Sequence, residues 1–192
     1  MRKKRIAILA SGSGTNAEKI MSHFRDHKFG AVSIVLSNKP DAMVLERAAG
    51  FDVKSLVFNR DEFYSSSKIT DLLLELGIDL IVLAGFLWLI PEELIRAYPD
   101  RIINIHPALL PKYGGKGMYG RHVHEAVIAS GDKESGISIH YVNEVYDEGR
   151  IIFQERCEVR PDDTPESLAQ RIHGLEYQHY PRVIEKLLRE PV

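Results

Sequence analysis

A chain of 192 residues, 44% of them hydrophobic and 27% charged, is long enough and apolar enough for one domain with its own core. Its formal net charge of -2 offers no broad basic field for nucleic acid, and no apolar run approaches the ~20 residues that a membrane helix needs. The single cysteine, Cys157, excludes an intramolecular disulfide and suits a reducing compartment, so a cytoplasmic protein is expected.

The basic start MRKKRIAILASGSG mimics a secretory signal, but its apolar part is only IAILA, and 5–10 reads as a first strand. A helix follows, with Ala17, Ile20, Met21 and Phe24 at helical spacing. Residues 31–37 read as a second strand. Asp41 is expected to cap a helix that Gly50 stops. Residues 53–58 form a weak strand. Asp61 is expected to open one helix carrying Phe63, Ile69, Leu72, Leu73 and Leu76, closed by Gly77. The strongest strand pattern is 79–86, and Pro91 starts a short helix.

The strand 101–106 leads into a Gly-rich loop and a helix around 120–131. Strands 136–142 and 150–159, joined by the polar turn NEVYDEG, are expected to pair antiparallel. Thr164 and Pro165 open a last helix running through Glu190, which Pro181 should kink or divide. Continuously apolar strands separated by helices imply a parallel sheet covered on both faces. The expected fold is therefore α/β and Rossmann-like, one domain over 1–192. Its sheet is open, mostly parallel and twisted, with helices on both faces and an antiparallel C-terminal strand pair. In such sheets ligands bind at the carboxyl ends of the strands.

Three stretches carry candidate chemistry. SGSGTN, at 11–16, joins a strand to a helix. Small residues let the chain curl, helix-start amides favour an anion, and Ser13, Thr15 and Asn16 add polar groups. It lacks the Lys of the nucleotide phosphate loop and has Ala17 where a third Gly would complete a dinucleotide turn. Phosphate binding and a plain tight turn both fit. Asn104 and His106 lie on one strand face with Ile105 opposite, so an amide and an imidazole converge where the strand ends. They suit oxyanion stabilisation, or structural hydrogen bonding. Ser138 and His140 share a face in the same way. Asp147, if near His106, would keep that imidazole protonated and aimed. On the residues alone, turn chemistry is the better account of Asp147.

The chain has eight histidines, yet His122 and His124 are two apart and diverge on a helix. With no H-E-x-x-H or paired-cysteine pattern, no metal is expected. YQHYP, at 177–181, fits core packing better than an aromatic lid.

Taken together, SGSGTN, LAGF, INIHPALLPKY, GISIHYV followed by YDEG, and a late Glu in LEYQHYP resemble the phosphoribosylglycinamide formyltransferase family along nearly the whole chain. The resemblance implies transfer of formyl from 10-formyltetrahydrofolate, as cosubstrate, to glycinamide ribonucleotide in purine biosynthesis. It implies Asn104, His106 and Asp147 as the catalytic trio, with His106 protonated, and Ser138 and His140 as support. Gly14, Thr15 and Asn16 match the phosphate loop, and Glu176 matches a carboxylate that contacts the ribonucleotide. Leu87, Trp88, Leu89 and Ile90 match the segment lining the folate pocket, largely through backbone groups. Asn143, Glu144, Val145, Tyr146 and Asp147 match the folate-binding loop, and Asn104 also belongs to that pocket. Arg60 matches a residue near the folate tail. The expected partners are these small molecules, not nucleic acid or membrane, with the protein a monomer or weak homodimer.

Trp88 stands where the family often has a cation, Ala108 replaces a common Ser, and the loop GGKGMYGRHVH is longer than in some relatives. Related transfer to methionyl-tRNA would call for a basic C-terminal domain, and formyl-folate hydrolysis for an N-terminal regulatory one. A non-catalytic nucleotide-binding module would account for SGSGTN but not for Asn104, His106 and Asp147 together.

Overall fold

The computed structural model describes residues 2–189. Seven strands and seven helices follow in order: β1 (Lys4–Leu9), α1 (Thr15–Phe24), β2 (Gly30–Ser37), α2 (Met43–Gly50), β3 (Lys54–Val57), α3 (Arg60–Tyr64), α4 (Lys68–Glu75), β4 (Leu80–Leu83), α5 (Glu92–Ala97), β5 (Ile102–His106), α6 (Arg121–Ser130), β6 (Glu134–Tyr141), β7 (Ile151–Glu158) and α7 (Pro165–Arg189). The strands form one sheet in the order β3-β2-β1-β4-β5-β6-β7. Pairing is parallel from β3 to β5 and antiparallel at β5–β6 and β6–β7.

The central strands are apolar on both faces because both faces are covered. Ile6, Ile8, Val82 and Ile103 join a core beneath α1 and α7, containing Ile20, Phe24, Ile172 and Ile184. Ala7, Leu9, Ile81 and Leu83 face the opposite core, filled from α3, α4 and α5 by Phe63, Leu73 and Leu94. Burying an aliphatic side chain of this size contributes about 1.5–3 kcal/mol, so the alternation of core faces fixes the register of these strands.

Four sequence expectations need correction. Asp41 does not cap α2: Ala42 holds the N-cap position, with no side-chain cap. The single helix expected from Asp61 is two short ones. Asn59, not Asp61, caps α3 in a reciprocal capping box with Glu62, and the serines at 65–67 separate it from α4. The strand 79–86 stops at Leu83, because Ala84–Ile90 leaves the sheet as a loop over the cleft. Pro181 does not divide α7, which runs unbroken to Arg189. Tyr180, Pro181, Val183 and Ile184 are all buried there, and the Tyr180 hydroxyl donates to the Leu83 and Ile103 carbonyls at 2.9 and 3.3 Å. Packing against the sheet thus outweighs the backbone bond that proline removes. The last expected residue of that helix, Glu190, lies outside the described residues.

Strand order reverses beside β1: β2 leads to one side and β4 to the other. That switch point brings the β1–α1 turn, the loop after β4 and the end of β5 to one crevice. Among the described residues, no helix is long and apolar enough to cross a membrane.

Candidate active site

A cavity of about 600 Å³ occupies that crevice, lined by Gly12–Asn16, Ala84–Leu87, Asn104–Pro107 and the 115–120 loop, with His124, Tyr146, Asp147, His173 and Glu176. The glycine turn enters it because β1 ends at Leu9 and the chain must reverse into α1. Gly14 occupies the N-cap position at φ 71°, and a Cβ there would sit 2.5 Å from Val44. Only glycine suits both conditions. Among the described residues no side chain caps α1, and uncapped first-turn N–H groups favour an anion. The turn is braced from outside: the Val44 amide donates to the Gly12 carbonyl at 3.2 Å, and the Arg47 guanidinium to the Ser13 carbonyl at 2.8 Å. Asn16 turns from the turn toward α7, where its Nδ2 donates to Glu176 Oε2 at 2.9 Å and its buried Oδ1 has no partner among the described residues. Burial pushes the Glu176 carboxyl up to about 7, against the opposing pull of Asn16.

The antiparallel pairing of β5 with β6 sets Asn104 opposite His140 and His106 opposite Ser138. Asn104 Nδ2 lies 3.1 Å from His140 Nε2 and 3.5 Å from Asp147 Oδ1. The His140 Nδ1–H donates to the Tyr141 carbonyl at 2.9 Å, which leaves Nε2 as the acceptor for one Asn104 proton. Among the described residues the second amide proton has only the 3.5 Å approach to Asp147, at the weak limit of hydrogen bonding, beside the cavity that Asn104 lines. Ser138 is fully buried and reaches the turn instead of the cavity: its hydroxyl donates to the Ala108 carbonyl at 2.7 Å and accepts from the Leu110 amide at 2.9 Å. Gln154 completes this bracket, donating to Ser138 Oγ at 2.8 Å and to the Leu110 carbonyl at 3.0 Å.

His106 is 3% exposed, with Nε2 donating to the Tyr113 carbonyl at 2.7 Å and Nδ1 lying 3.5 Å from Asp147 Oδ2. Its pKa is lowered from the usual imidazole value, because burial outweighs the raising effects of Asp147 and the Tyr113 carbonyl. The lowered pKa disfavours the protonated ring that the resemblance implies for His106. Asp147 itself is held below the usual carboxylate range. Burial opposes this, but the neighbouring imidazoles of His140 and His106 and the Gly115 amide, which donates at 2.9 Å, win. Asp147 and Tyr113 both adopt left-handed backbone, at φ 59° and 56°, so both partners of His106 sit at strained positions of a kind that collects at functional sites. Gly149 holds the Asp147 loop down: a Cβ there would meet the Tyr141 carbonyl at 1.7 Å.

The expected folate segment divides. Leu87 and Tyr146 line the cavity with Asn104 and Asp147. Trp88 lies to one side, packed among Phe58, Phe63, Tyr64 and Phe86, with the Arg60 guanidinium 5.7 Å above its ring and 4.9 Å from that of Tyr64. Leu89 contributes its carbonyl to the Tyr64 hydroxyl at 2.8 Å, and Ile90 belongs to the core at 3% exposure. Asn143, Glu144 and Val145 form the outer turn that carries Tyr146 inward, and Asn143 Oδ1 accepts from the Val145 amide at 3.1 Å. Arg60, Trp88, Leu89, Ile90, Asn143, Glu144 and Val145 are not on the cavity wall.

His124 and His173 line the cavity but are not anticipated from the sequence. His124 is 3% exposed, its Nδ1 has no partner among the described residues, and burial lowers its pKa to about 4. The useful signal was the apolar period Val123, Val127 of α6, which places His124 beside the buried stripe and His122 outside it. His173 on α7, one turn before Glu176, also has its pKa lowered by burial.

A family model described as formyl transferase matches residues 4–184. The chain is 43% identical over its full length to the chloroplastic phosphoribosylglycinamide formyltransferase of Arabidopsis thaliana, spanning 68% of that protein. It is 37% identical to the phosphoribosylglycinamide formyltransferase of Bacillus subtilis, covering 96% of this chain and 95% of that one. The crystal structure of phosphoribosylglycinamide formyltransferase from Bacillus halodurans superposes with a TM-score of 0.87 at 37% identity, covering 97% of this chain and 96% of that chain. The glycinamide ribonucleotide transformylase 1 of Symbiobacterium toebii gives a TM-score of 0.88 at 35% identity, covering 97% and 88%. With sequence, fold and cleft in agreement, the chain belongs to the phosphoribosylglycinamide formyltransferase family.

Proposed function

We propose that this protein, acting as one domain in the cytoplasm, transfers the formyl group of 10-formyltetrahydrofolate to the primary amine of glycinamide ribonucleotide. The observation that carries this reading is the convergence of Asn104, His106 and Asp147 on the same cavity as the uncapped α1 amides and Glu176. The relatives' names supply the acceptor and the formyl group, and the sequence resemblance supplies the folate donor.

The ribonucleotide phosphate docks at the Gly14–Asn16 turn, where the helix start favours an anion. Glu176 receives the glycyl amine side. The folate enters past Leu87 and Tyr146, which sets its formyl carbon at Asn104. Attack by the amine nitrogen on that carbon gives a tetrahedral species with negative oxygen and positive nitrogen. The free Asn104 proton bonds to the oxygen. His106, resting near neutral, takes the proton from the attacking nitrogen and becomes an imidazolium that Asp147 stabilises. It then returns the proton to the folate nitrogen as the carbon–nitrogen bond to the folate breaks.

Purified protein mixed with formyl-folate and a series of amines tests this spectrophotometrically. Deformylated folate should appear only with the ribonucleotide. Deformylation without any amine would replace the reading with a hydrolase.

A further inference from the structure

No metal is expected from the sequence, yet His23, in the last turn of α1, and His27, three residues past the end of that helix, come together beside α7. Opposite them on α7 is Glu185. His23 Nε2 is 2.9 Å from Glu185 Oε2, and His27 Nε2 is 3.4 Å from Oε1. One nitrogen from each imidazole and one carboxylate oxygen all lie within 4.8 Å of one another. The three side chains are 16–29% exposed, so they are held in place yet open to solvent on one side.

The geometry points to a divalent-metal site formed by His23, His27 and Glu185, suited to a borderline ion such as zinc and separate from the formyl-transfer cavity. Two imidazoles and one carboxylate are ligands that zinc accepts. Bonds of about 2.0–2.1 Å in tetrahedral geometry set ligand atoms about 3.3 Å apart. The two nitrogen–oxygen separations bracket that value, and rotation of exposed imidazoles closes the rest. A water fills the fourth position.

The supporting contacts fit as well. Arg189, which also reaches Glu185 Oε1 and lies 4.4 Å over the Phe29 ring, helps hold the carboxylate between the two imidazoles, with Oε2 toward His23 and Oε1 toward His27. A ligating carboxylate that is itself hydrogen-bonded is the usual outer arrangement. His23 packs edge-on against Phe24 with ring centroids 4.9 Å apart, and His27 does the same at 4.9 Å, so both rings are oriented by the core before an ion arrives. Metal binding at His27 Nε2 calls for the neutral tautomer with the ring proton on Nδ1. That gives up only a 3.4 Å approach from the Phe29 amide, at the weak end for a hydrogen bond. The consequence is mechanical. Asn16 and Glu176 already join α1 to α7 at the cavity end, and an ion would join the same two helices at the other end.

The test uses tag-free full-length protein, zinc chloride and a chromophoric competing chelator. Wild type should bind one equivalent, His27→Gln and Glu185→Gln should bind at least about tenfold more weakly, and His122→Gln, outside the cluster, should match wild type. Zinc at a hundredfold excess over its dissociation constant should raise the wild-type melting temperature by roughly 5–10 °C, and that of the two cluster variants by much less. Melting in chelator alone separates lost folding from lost binding. The proposal fails if wild type binds no stoichiometric zinc, if both cluster variants keep the full zinc-induced shift, or if His124→Gln, in the cavity, is the change that removes binding.

Discussion

His106 Nδ1 lies 3.5 Å from Asp147 Oδ2, while the opposite nitrogen is committed to the Tyr113 carbonyl at 2.7 Å. The ring thus has one nitrogen fixed as a donor and one facing an ionised carboxylate. In the proposed reaction, the proton that His106 gains lies beside Asp147. Burial disfavours a proton there and the carboxylate favours one, so two opposing influences on the pKa meet at this ring.

Removing the carboxylate tests this balance. In Asp147→Asn the raising influence is lost and the desolvation remains, so the His106 pKa should fall further below the usual imidazole value. Histidine ring resonances followed by NMR across pH 4 to 8 would show it. An unchanged or higher value would mean that Asp147 does not act on the ring.

Asn104→Ala removes the side-chain donor that the proposed reaction places on the oxyanion. Loss of one oxyanion donor costs ~10²–10³ in turnover. Circular dichroism should be unchanged, and the loss should appear in kcat more than in the KM for ribonucleotide. Turnover within about threefold of wild type would reassign the role.

Glu176 gives a stability signature. Its folded pKa is about 7 against an ordinary 4.5, so its contribution is complete below pH 4.5 and is lost as pH rises through 7. Glu176→Gln keeps an acceptor for Asn16 but cannot ionise. Relative to wild type, the variant should gain ~3 kcal/mol of stability between pH 4.5 and 8, read from urea midpoints, while its KM for ribonucleotide rises. A stability gap independent of pH would mean that the carboxyl titrates normally.

Ser138→Ala leaves the Leu110 amide and the Gln154 side chain without their shared partner. Each unmet buried group costs about 1–3 kcal/mol. Thermal denaturation should show a loss of that order, and kcat should fall because the turn after His106 loosens. Wild-type stability in this variant would show that a water replaces the hydroxyl.

Gly14→Ala combines a left-handed backbone with a Cβ 2.5 Å from Val44. Strain of about 1–2 kcal/mol plus overpacking should lower stability and raise the KM for ribonucleotide, with the KM for formyl-folate little changed. Equal effects on both substrates would argue against a phosphate role for the turn.

The element order, the mixed sheet and the glycine turn were legible in the sequence. Period-two and period-3.6 apolar patterns record which faces are buried, and glycine and proline record where the backbone turns. The same alternation put Asn104 and His106 on one face of β5. Local signals misled where packing had the last word. Pro181 stays helical because Tyr180 and its neighbours are buried against the sheet, and Asn59 caps where Asp61 seemed the candidate because the chain turns two residues earlier.

Only the tertiary structure decided the rest. Asp147 meets His106 because a glycine at 149 and left-handed backbone at 147 bend one loop back over β5. His124 enters the cavity and Trp88 leaves it for an aromatic cluster, and Glu185 comes to lie between His23 and His27. Each of these depends on residues far apart in the chain, held together by a core that neither segment encodes alone. Burial then changes the charge each group carries. Desolvation depends on the surrounding protein and leaves no local mark on the sequence, so the protonation state of His106 had to wait for the fold.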